Sequence, residues 1–343
     1  MNQTGCPREQ ADWLFLLSSA ISFLVALPGL VGNGLLMLRL LHRSALPADS
    51  RAILFNISLA AFVLEAYQAL RTGLYHTALY ISGFAPFAHK LKDCLIWQAP
   101  NAWSSTMLLT CFLCLGVERL LASRRPAPSS AAADHSTRLS LTIKLVIGGL
   151  WLLGVLSLVS QISTAQPKTL CYCHPVFATK KSVYLVLFIM YTVLGSAGLL
   201  LILGVWRKVR HKYHTDGVNQ ARHTLTQRFH LWQTLNLTEM MVPSAALNVV
   251  TWVVNCSLQV VFIAGQPFSV SKVTLLTFSL TISLVWASGH PWLCMLMNKN
   301  LRPNFLNGHQ VVQVLPHNNN PEVAQGMVEA HWARVRPQVE SRL

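Results

Sequence analysis

The sequence predicts an all-α fold, a bundle of seven transmembrane helices, on three observations. Only 11% of the 343 residues are charged and 52% are hydrophobic, whereas a soluble domain carries about 25% charged residues. The apolar residues gather into runs of roughly 20 or more, the length that crosses a hydrocarbon core about 30 Å thick. The 27 Lys and Arg against 12 Asp and Glu, a net charge of +15, are scattered between those runs. A nucleic-acid face would concentrate them in a patch or a recognition motif.

The runs lie at 14–41, 52–74, 95–121, 140–162, 182–206, 233–262 and 271–297. The first is longer than the apolar region of a cleaved signal peptide and lacks a positive segment before it, so it reads as a span. The second contains Asn56, Glu65 and Gln68, and the sixth contains Asn236, Glu239, Pro243 and Asn248. Polar groups at that depth are tolerated where they face other helices or a wet cavity, so both count as spans. Residues 1–13 read as an extracellular N-terminus. Residues 123–137, rich in Pro, Ser and Ala, read as a flexible inner loop. Residues 307–343 have many charges and no sustained apolar face, and read as a flexible cytoplasmic tail. No internal repeat is evident, which weighs against a transporter built from duplicated halves.

Orientation follows from the basic residues. With the N-terminus outside, the outer segments hold only Arg8, Arg71, Lys90, Lys92, Lys168, Lys180, Lys181 and Lys272. The larger remainder of the 27 falls on inner segments, so the expected location is a plasma membrane, multi-pass, with the N-terminus extracellular. Asn2-Gln3-Thr4 is then a glycosylation acceptor on the outer side. Cys94, Cys171 and Cys173 also fall there, where disulfides persist, and Cys94 is expected to pair with Cys171 or Cys173. The Cys-x-Cys-His run at 171–174 lacks the usual metal-site spacing. His211 and His214, three apart in a basic inner loop, read as solvated residues. No nucleophile elbow, zinc-protease pair, phosphate loop or intramembrane carboxylate pair occurs, so neither enzyme chemistry nor a cofactor is expected.

The third span carries the sharpest constellation. Cys94 and Arg119 are 25 residues apart, about 37 Å along an α-helix. If Cys94 marks the outer surface, the Glu118-Arg119 pair reaches the inner one. A helix-ending Arg that snorkels to the interface would look the same from composition alone.

That spacing resembles the third helix of rhodopsin-like G-protein-coupled receptors, with the ERLL run at 118–121 in place of the family's acidic-Arg-Tyr motif. Gly32-Asn33 in span one, Trp151 in span four and HPWLCMLMNKNLRPNF from His290 to Phe305 resemble the family's GN pair, lone Trp and NPxxY-to-short-helix stretch. The resemblance therefore implies a short amphipathic cytoplasmic helix after the seventh span, and a bundle with that helix over 14–306. His290 and Cys294 replace the usual Asn and Tyr. Val63 stands where the family has a buried second-helix Asp, span five lacks its central Pro and span six lacks CWxP. Within the group, LTQRFHLWQTLNLTEMMVP from Leu225 to Pro243 is similar to the segment entering helix six of nematode serpentine chemoreceptors of the Sra, Srab, Srb and Sre type. Arg228, Phe229 and His230 match its RYQ, while Gln233 and Thr234 depart from its EN. The ERLLAS and YCHPVFATKKS stretches resemble the same group. Taste type 2 and class A-like olfactory receptors share parts of the pattern.

The resemblance implies a chemosensory receptor that binds a small molecule between the outer halves of the helices and activates a heterotrimeric G protein inside. Expected ligand contacts are Tyr67, Gln68 and Arg71 in span two and Trp97, Gln98, Asn101, Ser104 and Ser105 in span three. Tyr184 and Tyr191 in span five and Asn248, Trp252 and Asn255 in span six complete the set. This lining suits small neutral or weakly acidic compounds, with Arg71 as an anion contact. The switch is expected at Glu118 and Arg119, with Pro243 kinking span six by removing a backbone donor and His290-Pro291 in span seven. Arg207, Lys208, Arg210 and Lys212 line the inner opening or hold the helix to anionic lipid. A transporter is the rival reading, with Glu65 and Glu239 as its available coupling charges.

Overall fold

The structure, a computed structural model, describes residues 12–42, 46–84, 89–124, 141–163, 169–174, 176, 181–218, 225–263, 269–298 and 301. All belong to one compact unit, Met1–Pro303. The second unit, Asn304–Leu343, lies outside the described residues. So do the Asn2 acceptor and most of the expected inner loop and cytoplasmic helix.

The described chain is helical apart from one β pair. Helix α1 is Trp13–His42; α2, Ala48–Leu70, continues through a π-helical turn, Arg71–His76, into α3, Thr77–Ser82. After β1, His89–Lys90, come α4, Leu91–Arg124, and α5, Leu141–Ser163. After β2, Thr169–Leu170, come α6, Lys181–Val218, and α7, Leu225–Leu258, with a second π-helical turn at Gln259–Ile263. Helix α8 is Val270–Met297. Six of these are long and apolar enough to cross a membrane: α1, the Ala48–Ser82 rod, α4, α6, α7 with its π turn, and α8. In α5 the apolar stretch is shorter, Ile143–Leu156. This is the architecture of a multi-pass membrane protein.

The second rod departs from expectation by running on to Ser82 rather than ending near 74. Arg71, Thr72 and His76 interrupt the apolar run, yet all three are buried in the bundle. The interruption therefore marks an internal polar site instead of a surface.

The helices form a closed ring in the order α1, α2, α4, α6, α7, α8 and back to α1, with α5 packed on α4. Glycines set the closest approaches. A Cβ on Gly198 of α6 would come within 3.3 Å of the Leu113 backbone nitrogen of α4, and one on Gly116 would lie 3.1 Å from the Gly198 carbonyl. Small residues that let backbones approach this closely are the usual means of helix association in lipid. Leu24, Val31, Leu152, Val155 and Val159 project outward and exposed, a face that suits lipid and not water. Hydroxyls inside the helices bond back one turn, as Ser22 does to the Ser18 carbonyl and Thr238 to the Thr234 carbonyl, so they need no water.

Candidate functional site

At one end of the bundle a short chain segment is stitched across the helices. β1 and β2 pair antiparallel, His89 opposite Leu170 and Lys90 opposite Thr169. The disulfide joins Cys94, in the first turn of α4, to Cys173, with Cα atoms 5.2 Å apart. This selects Cys173 from the two partners left open by the sequence; Cys171 is also disulfide-bonded, but not to Cys94. Gln98 Nε2 donates to the Cys173 carbonyl at 2.7 Å, and the Cys173 N–H donates to Tyr75 Oη at 3.3 Å.

These ties drive Tyr172, between the two cysteines, fully inside the bundle. Its hydroxyl meets Arg71 Nη2 at 2.5 Å and His76 Nε2 at 2.8 Å, and Ser19 Oγ holds His76 Nδ1 at 2.8 Å. The Arg71 guanidinium carbon also lies 5.2 Å from the Tyr172 ring centroid. Phe15, Phe84 and Tyr75 pack around this group. Arg71, His76 and Tyr172 all lose contact with solvent. The π turn makes this possible: its extra residue per turn places Arg71, Thr72 and His76 together on the buried side, as such turns often do at functional sites. In the loop, burial and then the positive charge of Arg71 hold the His174 imidazole well below its ordinary range. Burial pushes the Tyr172 phenol up.

Of the expected ligand contacts, Tyr67 lies within electrostatic reach of Arg71 and 6.2 Å ring to ring from Trp97. Gln68 Nε2 donates to Asn101 Oδ1 at 3.4 Å. Gln98 and Ser104 are buried, and Asn101 and Ser105 are partly buried. Asn248 and Trp252 sit on α7, the former buried and the latter partly so; Asn255 on the same helix accepts from Gln259 at 2.8 Å. The side chains of Tyr184 and Tyr191 lie outside the described residues. Tyr172, Tyr75, His76 and His174 were missed. Two of them flank the cysteines, which drew attention to sulfur chemistry, and their convergence on Arg71 depends on a fold-back that no local pattern encodes.

In the middle of the bundle Glu65 is fully buried, and it accepts from Asn33 Nδ2 at 3.0 Å and from Ser288 Oγ at 3.1 Å. Asn33 also donates to the Ala287 carbonyl at 3.1 Å. A Cβ on Gly29 would overlap the Glu65 carboxyl, so glycine is what makes room for it. The acidic residue that meets Asn33 is thus Glu65, two positions beyond Val63. Nearby, Ser244 Oγ pairs with His290 Nδ1 at 2.6 Å, and Trp286 Nε1 donates to the Ser244 carbonyl at 2.8 Å. Pro243 and Pro291 both lie inside helices beside this contact.

At the end of α4 away from the disulfide, Arg119 is nearly fully buried. Its Nε and Nη2 grip both carboxyl oxygens of Glu118 at 2.5 Å, and Nη2 also reaches Ser50 Oγ of α2 at 2.5 Å. Glu239 does not join this pair; Trp206 Nε1 of α6 donates to it at 3.3 Å. Arg207, Lys208, Arg210 and Lys212 are exposed, and Arg210 stacks over the Trp206 ring at 5.1 Å. No protein-family model matches the chain, and no curated protein matches it significantly.

Proposed function

We propose that this chain is a seven-transmembrane chemosensory receptor of the plasma membrane, with α5 as its fourth span and the N-terminus extracellular. It binds a small molecule at the disulfide end and activates a heterotrimeric G protein at the Arg119 end. The resemblance of the 118–123, 225–243 and 290–305 stretches to rhodopsin-like receptors, and to nematode serpentine chemoreceptors among them, points the same way. So does α4, the observation that carries the reading. One helix begins in a disulfide that pins a loop over the bundle and ends in a buried acidic-Arg pair docked on α2.

A buried pair of this kind has two ways to satisfy its charge. Arg119 can bond Glu118 and Ser50, or it can turn toward a docked protein once the helices part. A switch needs two such states that bind the partner differently. Pro243 gives α7 a flexible point above its inner end, and the exposed basic residues of α6 stand beside the opening.

The test is surface-normalised nucleotide exchange on a supplied G protein. Arg119→Ala is expected to abolish stimulated exchange while surface expression and ligand binding persist, and Glu118→Gln to raise basal exchange by freeing Arg119. Exchange unchanged in Arg119→Ala would leave the reading without its mechanism.

A further inference from the structure

Arg71 is 0% exposed, and a guanidinium remains charged at any physiological pH. Among the described residues no carboxylate approaches it: the neighbours that stabilise its charge are Tyr172, Tyr67 and Tyr75. The hydroxyl of Tyr172 takes Nη2, but Nε and Nη1 have no partner. A buried ion without a counter-charge is strongly disfavoured, and one phenol with a ring face offsets only part of that.

A partner that suits these donors has a definable chemistry. A cationic ligand would be repelled by Arg71, and a neutral one would leave the charge uncompensated. A carboxylate on the open donors gains charge-assisted hydrogen bonds of the strongest class. A phosphate dianion would call for a second cation, and the basic groups beside Arg71 are imidazoles: His76, already engaged by the Tyr172 hydroxyl and Ser19, and His174, kept neutral by burial and by Arg71 itself. Beside this position Gln98, tied to the Cys173 carbonyl, is buried on α4 with Oε1 unpartnered, and about 9 Å further along the helix Ser104 is buried with Oγ unpartnered. Asn101 stands three residues from each of them, and the three offer polar contacts along the body of a ligand.

We propose that the ligand is a small monocarboxylate whose carboxylate docks on the open donors of Arg71 beneath Tyr172, with Gln98 and Ser104 contacting the rest of the molecule. This rests on the receptor reading for the word ligand, but the site itself is a property of the disulfide end and is testable without any G protein.

The experiment uses the full chain in phosphatidylcholine nanodiscs. Thermal midpoints are recorded with straight-chain monocarboxylates from acetate to octanoate and with benzoate, each beside its primary amide and its amine. At least one acid is expected to raise the midpoint by several degrees where its amide and amine do not. Arg71→Gln is expected to lose that shift, and Arg71→Lys, which keeps the charge but not the planar fork, to weaken binding about tenfold or more. The comparison of acid with amide on the wild type needs no variant, so it holds even if a substitution fails to fold. An amide or amine as effective as its acid, an acid shift that survives in Arg71→Gln, or no shift with any acid would each overturn the proposal. So would an Arg71-dependent shift produced by phosphatidylglycerol in the disc and by no free acid, which would assign the site to lipid headgroups. An acid that binds through Arg71 without stimulating exchange would leave this site standing and overturn the receptor reading. Exchange stimulated by neutral compounds or amines equally in wild type and Arg71→Gln would do the reverse.

Discussion

Arg71 and Arg119 are buried to nearly the same extent, 0% and 1% exposed, at opposite ends of the same bundle. Their surroundings differ in one respect. Arg119 carries its own counter-charge, gripping Glu118 on the adjacent position and Ser50 across the helix interface. Arg71 is held by the hydroxyl and ring of Tyr172, with donors to spare. A charge that is satisfied from within stabilises the state it is found in, and it must be torn from that state to act elsewhere. A charge that is left unsatisfied is a standing cost, recovered when something else arrives. The first arrangement suits a latch and the second a receptor for an anion.

The largest effect should come from breaking the satisfied end. Glu118→Ala leaves Arg119 buried with only Ser50 for company, and stranding one partner of a buried ion pair costs about 3–5 kcal/mol. Chemical or thermal unfolding in nanodiscs measures it. A loss under about 1 kcal/mol, the range of exposed pairs, would mean that water reaches the guanidinium, and the contrast between the two ends would collapse. The next effect tests whether the loop is what holds the unsatisfied end together. Cys173→Ser opens a cross-link spanning 79 residues and should cost about 2–4 kcal/mol. It should also release Tyr172 and weaken carboxylate binding, while leaving the exchange response to Glu118→Gln in place.

How legible the two ends were in the sequence differs as well. The outlines of the helices were readable because hydropathy is local: the span expected at 14–41 is Trp13–His42, and the one at 271–297 is Val270–Met297. The Arg119 end was readable for the same reason, since Glu118 is the neighbouring residue. At the disulfide end the decisive partners are distant, Tyr172 lying 101 residues from Arg71 and 96 from His76. Glu65 is a similar case: it interrupts an apolar run, and its partner Ser288 is 223 residues away. Hydropathy registers such residues only as interruptions, which is why the second span was expected to stop short of Ser82. The pairing of Cys94 was open for a related reason, because Cys171 and Cys173 are equivalent by composition and differ only in which way the loop turns.

A smaller effect is expected from pH. His174 is held well below the ordinary imidazole value of 6.5, first by burial and then by Arg71. Above about pH 6.5 it is neutral both folded and unfolded and contributes nothing to the balance. As the pH falls below that value the unfolded chain takes up a proton that the folded loop refuses. Stability then declines by up to about 1.4 kcal/mol per pH unit until the folded value is reached. His174→Gln should flatten the acid limb of the unfolding profile relative to wild type. An unchanged limb would show that the loop admits the proton.

The smallest effect is the most discriminating. Arg71→Met keeps the length and apolar stem of the side chain and deletes only its charge and donors. If Arg71 were a tether for the loop, its removal would forfeit the bond to Tyr172 and the stacking on its ring, a loss of about 1.5–3 kcal/mol for a hydrogen bond to a charged group. Tyr172 keeps a partner in His76 at 2.8 Å, however, and the uncompensated charge disappears along with the bond. Exchanging buried ionic groups for apolar ones of similar size is often neutral or stabilising. The unliganded protein should therefore unfold within about 1 kcal/mol of wild type, or above it, while losing its response to carboxylates. Set beside the heavy cost of Glu118→Ala, that near-zero result would separate a charge kept for an incoming anion from one kept for the fold. A loss as large as that of Glu118→Ala would make the two arginines alike.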